Sequence, residues 1–273
     1  MTNTAQSIAE PSVDISASAN DSQLHHEPQK VAAGRGLNWL TEGWALLMKE
    51  PLVFAVMSVI SLVAIFIMSL VPFLGSLAVT LLWPAMMAGF FLAFKHAKQQ
   101  QAVTANDLFE PFKAPASLIG VGAMYLLASL VLLLVLGLVA FLSLGSITAI
   151  MNGQIDMGRM AVGLVILALI ATPTSLALAM AFVFAPVLVH EHQVPVIDAI
   201  KRSFFGSLRN ILPFIVFFGV FILCSFAISV LVAIPLLGWL LGIAVAIIYL
   251  PLFCGALFCA YRDIFLNHDN TVL

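Results

Sequence analysis

The chain has 273 residues, 62% of them hydrophobic and 9% charged, with a formal net charge of −2 and a mean hydropathy of +1.12. A soluble domain averages roughly 45–50% apolar and about 25% charged. So few charges cannot cover a water-soluble surface, and no nucleic-acid partner is expected.

The first thirty residues are polar, rich in Ser, Asn and Gln, with no basic residue before Lys30. A secretory signal needs a basic start and an apolar core. Residues 1–30 therefore read as a disordered cytoplasmic tail. His25 and His26 have no further ligand at a usable spacing, so no metal is expected there. From Gly34 to Lys49, Leu37, Leu40, Trp44 and Leu47 fall on one helical face. That pattern predicts a helix lying in the headgroup layer.

No Asp, Glu, Lys or Arg occurs from Pro51 to Phe94, Ala114 to Ile155, Met160 to His190, or Asn210 to Tyr261. About 20 apolar residues cross the hydrocarbon. Pro-containing turns at Val71–Gly75 and Ile234–Gly238 divide the first and last stretches. Six crossings follow, at about 52–71, 76–96, 117–144, 161–189, 211–233 and 237–260. A polar connection, 146–159, separates the third and fourth. The fold class is all-α, a polytopic membrane protein with interfacial amphipathic helices.

The chain also repeats itself. Pro51 and Pro72 bracket the first crossing as Pro213 and Pro235 bracket the fifth, and Pro84 and Pro251 each stand 11 residues before a basic residue, Lys95 and Arg262. An amphipathic segment precedes each hairpin: 34–49, a short Asn106–Phe112 version, and 195–209, where Ile197, Ile200, Phe204 and Leu208 share a face. Three hairpin units are expected, about 34–96, 104–189 and 194–263, within one membrane domain, 31–263. Residues 264–273 read as a short cytoplasmic tail. Lys30, Arg35, Lys49, Lys95, Lys98, Lys113, Lys201, Arg202, Arg209 and Arg262 fall on one side of six crossings, and Arg159 on the other. Ten against one places both termini in the cytoplasm of a bacterial inner membrane.

The most polar stretch of the second half is Val189–Asn210. His190 and His192 are two apart, about 200° around a helix, whereas a zinc helix presents its ligands four apart. Glu191 and Asp198 have no nucleophile beside them. The three residues 190–192 read as a solvated turn, and 195–209 as an interfacial helix drawn to anionic cytoplasmic-leaflet lipid. Thr172-Pro173-Thr174-Ser175 is the most polar spot inside a crossing, where Pro173 frees a carbonyl for a hydroxyl or a ligand. Cys224, Cys254 and Cys259 lie within crossings and argue against a disulfide framework.

Val194–Phe204 with Leu208–Phe214, and Val31–Leu40 with Gly43-Trp44, resemble an uncharacterised family of proteobacterial six-helix inner-membrane proteins over about residues 31–263. More remotely, the Ala-x-Lys-Arg-Ser-Phe run resembles YciC-like membrane proteins and the membrane domain of some glycerophosphodiester phosphodiesterases. The hydrolase domain of the latter is absent, so the resemblance carries no catalytic residue. No catalytic site, metal or cofactor is expected, and the substrate-binding residues stay unassigned. The reading is a non-enzymatic scaffold or partner in the cell envelope, with a protein partner or homo-oligomer possible; the alternative is a carrier of an apolar or lipid-like substrate.

Overall fold

The computed structural model describes residue 24 and residues 27–144, 157–232 and 237–266. The helices are α1 (Arg35–Leu47), α2 (Pro51–Ser69), α3 (Leu74–Lys98), α4 (Ala116–Leu144), α5 (Met157–Phe182), α6 (Ala185–His192), α7 (Val196–Arg209), α8 (Ile211–Val232) and α9 (Leu237–Phe265). Two single 3-10 turns, Ala105–Leu108 and Glu110–Lys113, lead into α4. No strand occurs among the described residues. Six spans are long and apolar enough to cross a membrane: α2, α3, α4, α5 with α6, α8 and α9. The chain is an all-helical, multi-pass membrane protein, as its charge-free stretches imply. His25 and His26, most of the 146–159 connection and residues 233–236 of the last turn lie outside the described residues.

The fourth crossing departs from the expected single helix over 161–189. It stops at Phe182 and restarts at Ala185, because Pro186 has no N–H to donate and its ring clashes one turn back. Ser203 of α7 repairs the break. The Phe184 N–H donates to Ser203 Oγ at 3.1 Å, and that hydroxyl donates to the Met180 carbonyl at 2.8 Å. A residue-203 hydroxyl thus satisfies two backbone groups that a broken helix would leave bare.

Each lead segment lies on the hairpin of the preceding unit, and the first lies on the last. The 3-10 turns pack on α2 and α3, α7 packs on α5 and α6, and α1 packs on α8 and α9. The order is cyclic. Three close approaches hold two of these contacts. A Cβ on Gly36 would stand 2.1 Å from the Pro213 carbonyl oxygen, one on Gly43 2.6 Å from the Ala256 nitrogen, and one on Gly89 2.7 Å from the Leu108 oxygen. Membrane helices approach this closely only through such small residues.

The docking faces of the lead helices are rotated from the expected apolar stripes and overlap them only in part, at Leu40, Leu47, Ile200 and Phe204. In α1 the buried residues are Gly36, Trp39, Gly43, Leu46 and Leu47, while Leu37 and Trp44 of the expected stripe are exposed. In α7 they are Ala199, Ser203, Gly206 and Ser207, while Ile197 and Leu208 are exposed and Phe204 is half-buried. Small residues let the backbones meet, Trp39, Leu46 and Leu47 fill the α1 contact beside them, and Leu37, Trp44, Ile197 and Leu208 stay exposed.

The chain before α1 is tied down. Gln29 N–H donates to the Ile264 carbonyl at 2.8 Å, Val31 N–H to Asn210 Oδ1 at 2.8 Å, and Asn210 Nδ2 to the Gln29 carbonyl at 2.7 Å. The last helix runs on to Phe265, and Phe265 and Leu266 are buried. The packed core gathers at this basic end: Trp39, Phe54, Phe94, Phe184 and Phe217 are all fully buried, with Phe54 stacked on Phe94 at 4.3 Å. Away from it the bundle splays, and the α4 span has none of its most apolar window buried against 56% for α3.

Candidate functional site

Three features stack from the basic end inward. At the basic end, the last turns of α3, α6 and α9 bring Lys95, Glu191, His192, Tyr261 and Arg262 around a cavity of about 50 Å³, with Lys98 at its mouth. Lys95 and Glu191 form an ion pair between half-buried side chains, and His192 Nε2 shares a hydrogen bond with the buried Tyr261 hydroxyl. The solvated turn expected at residues 190–192 is therefore corrected. These residues close a helix whose stop is set by Gln193 in the left-handed conformation, φ 52°, and two of the three point to partners on other units. Sequence reasoning missed the cluster because its partners lie 96 and 69 residues away.

Beside it, Asp263 ties α9 to α1. Arg35 Nε donates to Asp263 Oδ2 at 2.6 Å and Trp39 Nε1 donates to the same oxygen at 2.8 Å. The hydrogen bond to Asp263 raises the Arg35 pKa, against the opposing pull of partial burial, with Glu42 adding a further pair at 2.9 Å. The guanidinium is locked in its charged form.

One turn deeper, α3, α4, α5 and α9 enclose an apolar chamber of about 320 Å³, bounded by Trp83, Met87, Tyr125, Phe182 and Leu257 among others. Ala179, Val183 and Phe253 are shared walls with a third cavity of about 550 Å³. This crevice lies between α5 and α8, where Leu176, Ile211, Phe214, Ile215 and Phe218 complete it and Ser207 supplies a lone hydroxyl. Within the crossings, the Tyr249 hydroxyl donates to the Phe221 carbonyl at 2.8 Å and Ser225 Oγ to the same oxygen at 2.7 Å, tying α8 to α9.

Thr172 to Ser175 do not line any of these cavities. They are exposed on α5, and Thr174 Oγ1 donates to the Ile170 carbonyl at 2.7 Å, one turn back. Asp198 sits in the first turn of α7, exposed and 3.9 Å from Lys201. Cys254 and Cys259 are buried and unbridged, as Cys224 is also unbridged. Among the described residues no three His, Cys, Asp or Glu converge on a possible metal position.

Over 191 residues the chain is 30% identical to a protein of Burkholderia thailandensis described as a probable inner membrane protein, a match covering 66% of this chain and 70% of that one. The chain belongs to its family. No family model matches the sequence, and no solved structure matches it. Membership and the six crossings together make this a multi-pass inner-membrane protein.

Proposed function

We propose that this family member is a non-catalytic inner-membrane protein that admits an apolar, lipid-like molecule sideways from the bilayer, between α5 and α8. The observation that carries this reading is the crevice of about 550 Å³ shared through Ala179, Val183 and Phe253 with the chamber at the centre of the three units. Ligand pockets occupy about 300–1,000 Å³ and are lined mainly by apolar side chains with few polar groups. A wall of Leu, Ile, Val, Met and Phe with a single Ser suits a hydrocarbon chain and offers no handle to an ion or sugar. The break at 183–184 interrupts the helix on one side of the opening, while Pro173 and Pro251 stand inside helices that run on through them. Interrupted helices of this kind line binding sites in many carriers.

In this reading both termini and the basic end face the cytoplasm, supported by the ten-to-one division of Lys and Arg. Arg202 and Lys201 on α7 then sit over anionic lipid of that leaflet. The remote resemblance of the Ala199–Phe204 run to YciC-like proteins and to the membrane domain of glycerophosphodiester phosphodiesterases suggests a lipid context and adds no chemistry. A second reading, a scaffold for another membrane protein, draws on α4, which leaves Leu127, Leu130, Val131, Leu133, Leu134 and Leu138 exposed.

Purification in mild detergent, followed by lipid mass spectrometry and partner analysis, separates the two. A lipid-like molecule near one per chain, lost in Val183→Trp, supports the carrier. A stoichiometric protein partner with no retained lipid supports the scaffold and overturns it.

A further inference from the structure

We infer that the small cavity at the basic end binds a phosphate group, as a phosphomonoester headgroup or as free phosphate. Its walls come from all three hairpin units: Lys95 and Lys98 from α3, Glu191 and His192 from α6, Tyr261 and Arg262 from α9. Lys95, Lys98 and Arg262 share its wall with one carboxylate, Glu191, so cationic side chains outnumber acids in the lining, as an anion site requires. Two ammonium groups and a guanidinium suit phosphate, the guanidinium by paired donors and the ammoniums as point charges. The volume of about 50 Å³ holds a few waters or one compact anion.

The position fits as well. Lys98, His192 and Phe265 end their spans, so the cavity lies where three apolar spans stop. Its floor is aromatic: Phe91 lies 5.9 Å from both Phe258 and Tyr261, all three buried. Met87, Phe91 and Lys95 follow one another along one face of α3, as do Phe253, Leu257 and Tyr261 along α9. At 1.5 Å per residue the apolar chamber therefore begins about 6 Å below, on the far side of that floor. An anion held here meets Lys95 already oriented by Glu191, and the Tyr261 hydroxyl already oriented by His192.

The site is separate from the crevice, so its test is independent of the carrier reading. The full-length chain in detergent is titrated calorimetrically with inorganic phosphate; in parallel, chain in phosphatidylcholine nanodiscs doped with phosphatidate is examined by native mass spectrometry. Saturable one-to-one phosphate binding identifies the bare group as ligand, and phosphatidate capture without a phosphate isotherm identifies the headgroup. In either arm Lys98→Glu should weaken binding at least tenfold and Lys98→Ala at least threefold. Lys98 is exposed, so neither change should lower the melting temperature. Lys113→Glu, at the same end but outside the cavity, and Val183→Trp, in the crevice wall, should leave binding within twofold. No binding in either arm, full binding by the Lys98 variants, or equal weakening by Lys113→Glu overturns the inference.

Discussion

Ser58 is fully buried in α2 and its hydroxyl has no hydrogen-bond partner, although nearby Ser61 donates to the Met57 carbonyl at 2.8 Å. A buried hydroxyl left unpaired costs about 1–3 kcal/mol. Ser58→Ala is therefore expected to raise the unfolding midpoint in detergent, by about 1 kcal/mol or more; a lowered midpoint would mean that the hydroxyl has a partner. Asn210 is the opposite case. Its amide receives from Val31 and donates to Gln29 and, at 2.9 Å, to Gly206. At about 1 kcal/mol per bond, Asn210→Ala should cost roughly 2–3 kcal/mol and expose the Val31 amide to hydrogen exchange. Unchanged protection of Val31 would show that the strap is held elsewhere. Neither role is readable from a sequence, since Asn210 lies 179 residues from Val31 and the two Ser look alike.

Helix by helix, α1 and α7 were legible as amphipathic segments, but their docking faces were not. A stripe of Leu and Trp is the natural guess for a contact in water. In lipid the hydrocarbon solvates large side chains as well as a protein does, so contact falls to residues small enough for backbones to meet. The signal was present as Gly36 and Gly43, and as Ala199, Ser203 and Ser207 at four-residue steps. Gly43→Val should force α1 from α9, where the Ala256 backbone stands 2.6 Å from the new Cβ. Trp39 would lose its buried place and its hydrogen bond to Asp263, so limited proteolysis should cut within 27–48. Gly34→Ala, with open space around it, should not. For α7, Phe205→Asp should leave residues 196–209 as protected as in the wild type, whereas Ser203→Leu should release them. Release by Phe205→Asp would return the helix to the membrane surface and away from the protein.

Across the whole molecule, the six crossings follow from where the charges are missing, and Pro spacing relates the first hairpin to the last. The cyclic order of contacts was out of reach, because no local pattern says that a first segment lies on a last hairpin. Orientation is tested by single-Cys labelling in a background lacking Cys224, Cys254 and Cys259: Gln100 and Arg209 positions should react only from the cytoplasmic side, and labelling of intact spheroplasts at either would reverse the assignment. The cyclic order also sets a timetable for assembly. Trp39 and its partner Asp263 are 224 residues apart, which at 5–20 residues per second is roughly 10–45 s of translation. During that interval α1 has left the ribosome with Gly36, Trp39 and Gly43 uncovered, while five crossings enter the bilayer. A chain stopped before α9 thus carries its own unsatisfied docking face at the amino end, a mark by which quality control could tell an unfinished bundle from a closed one.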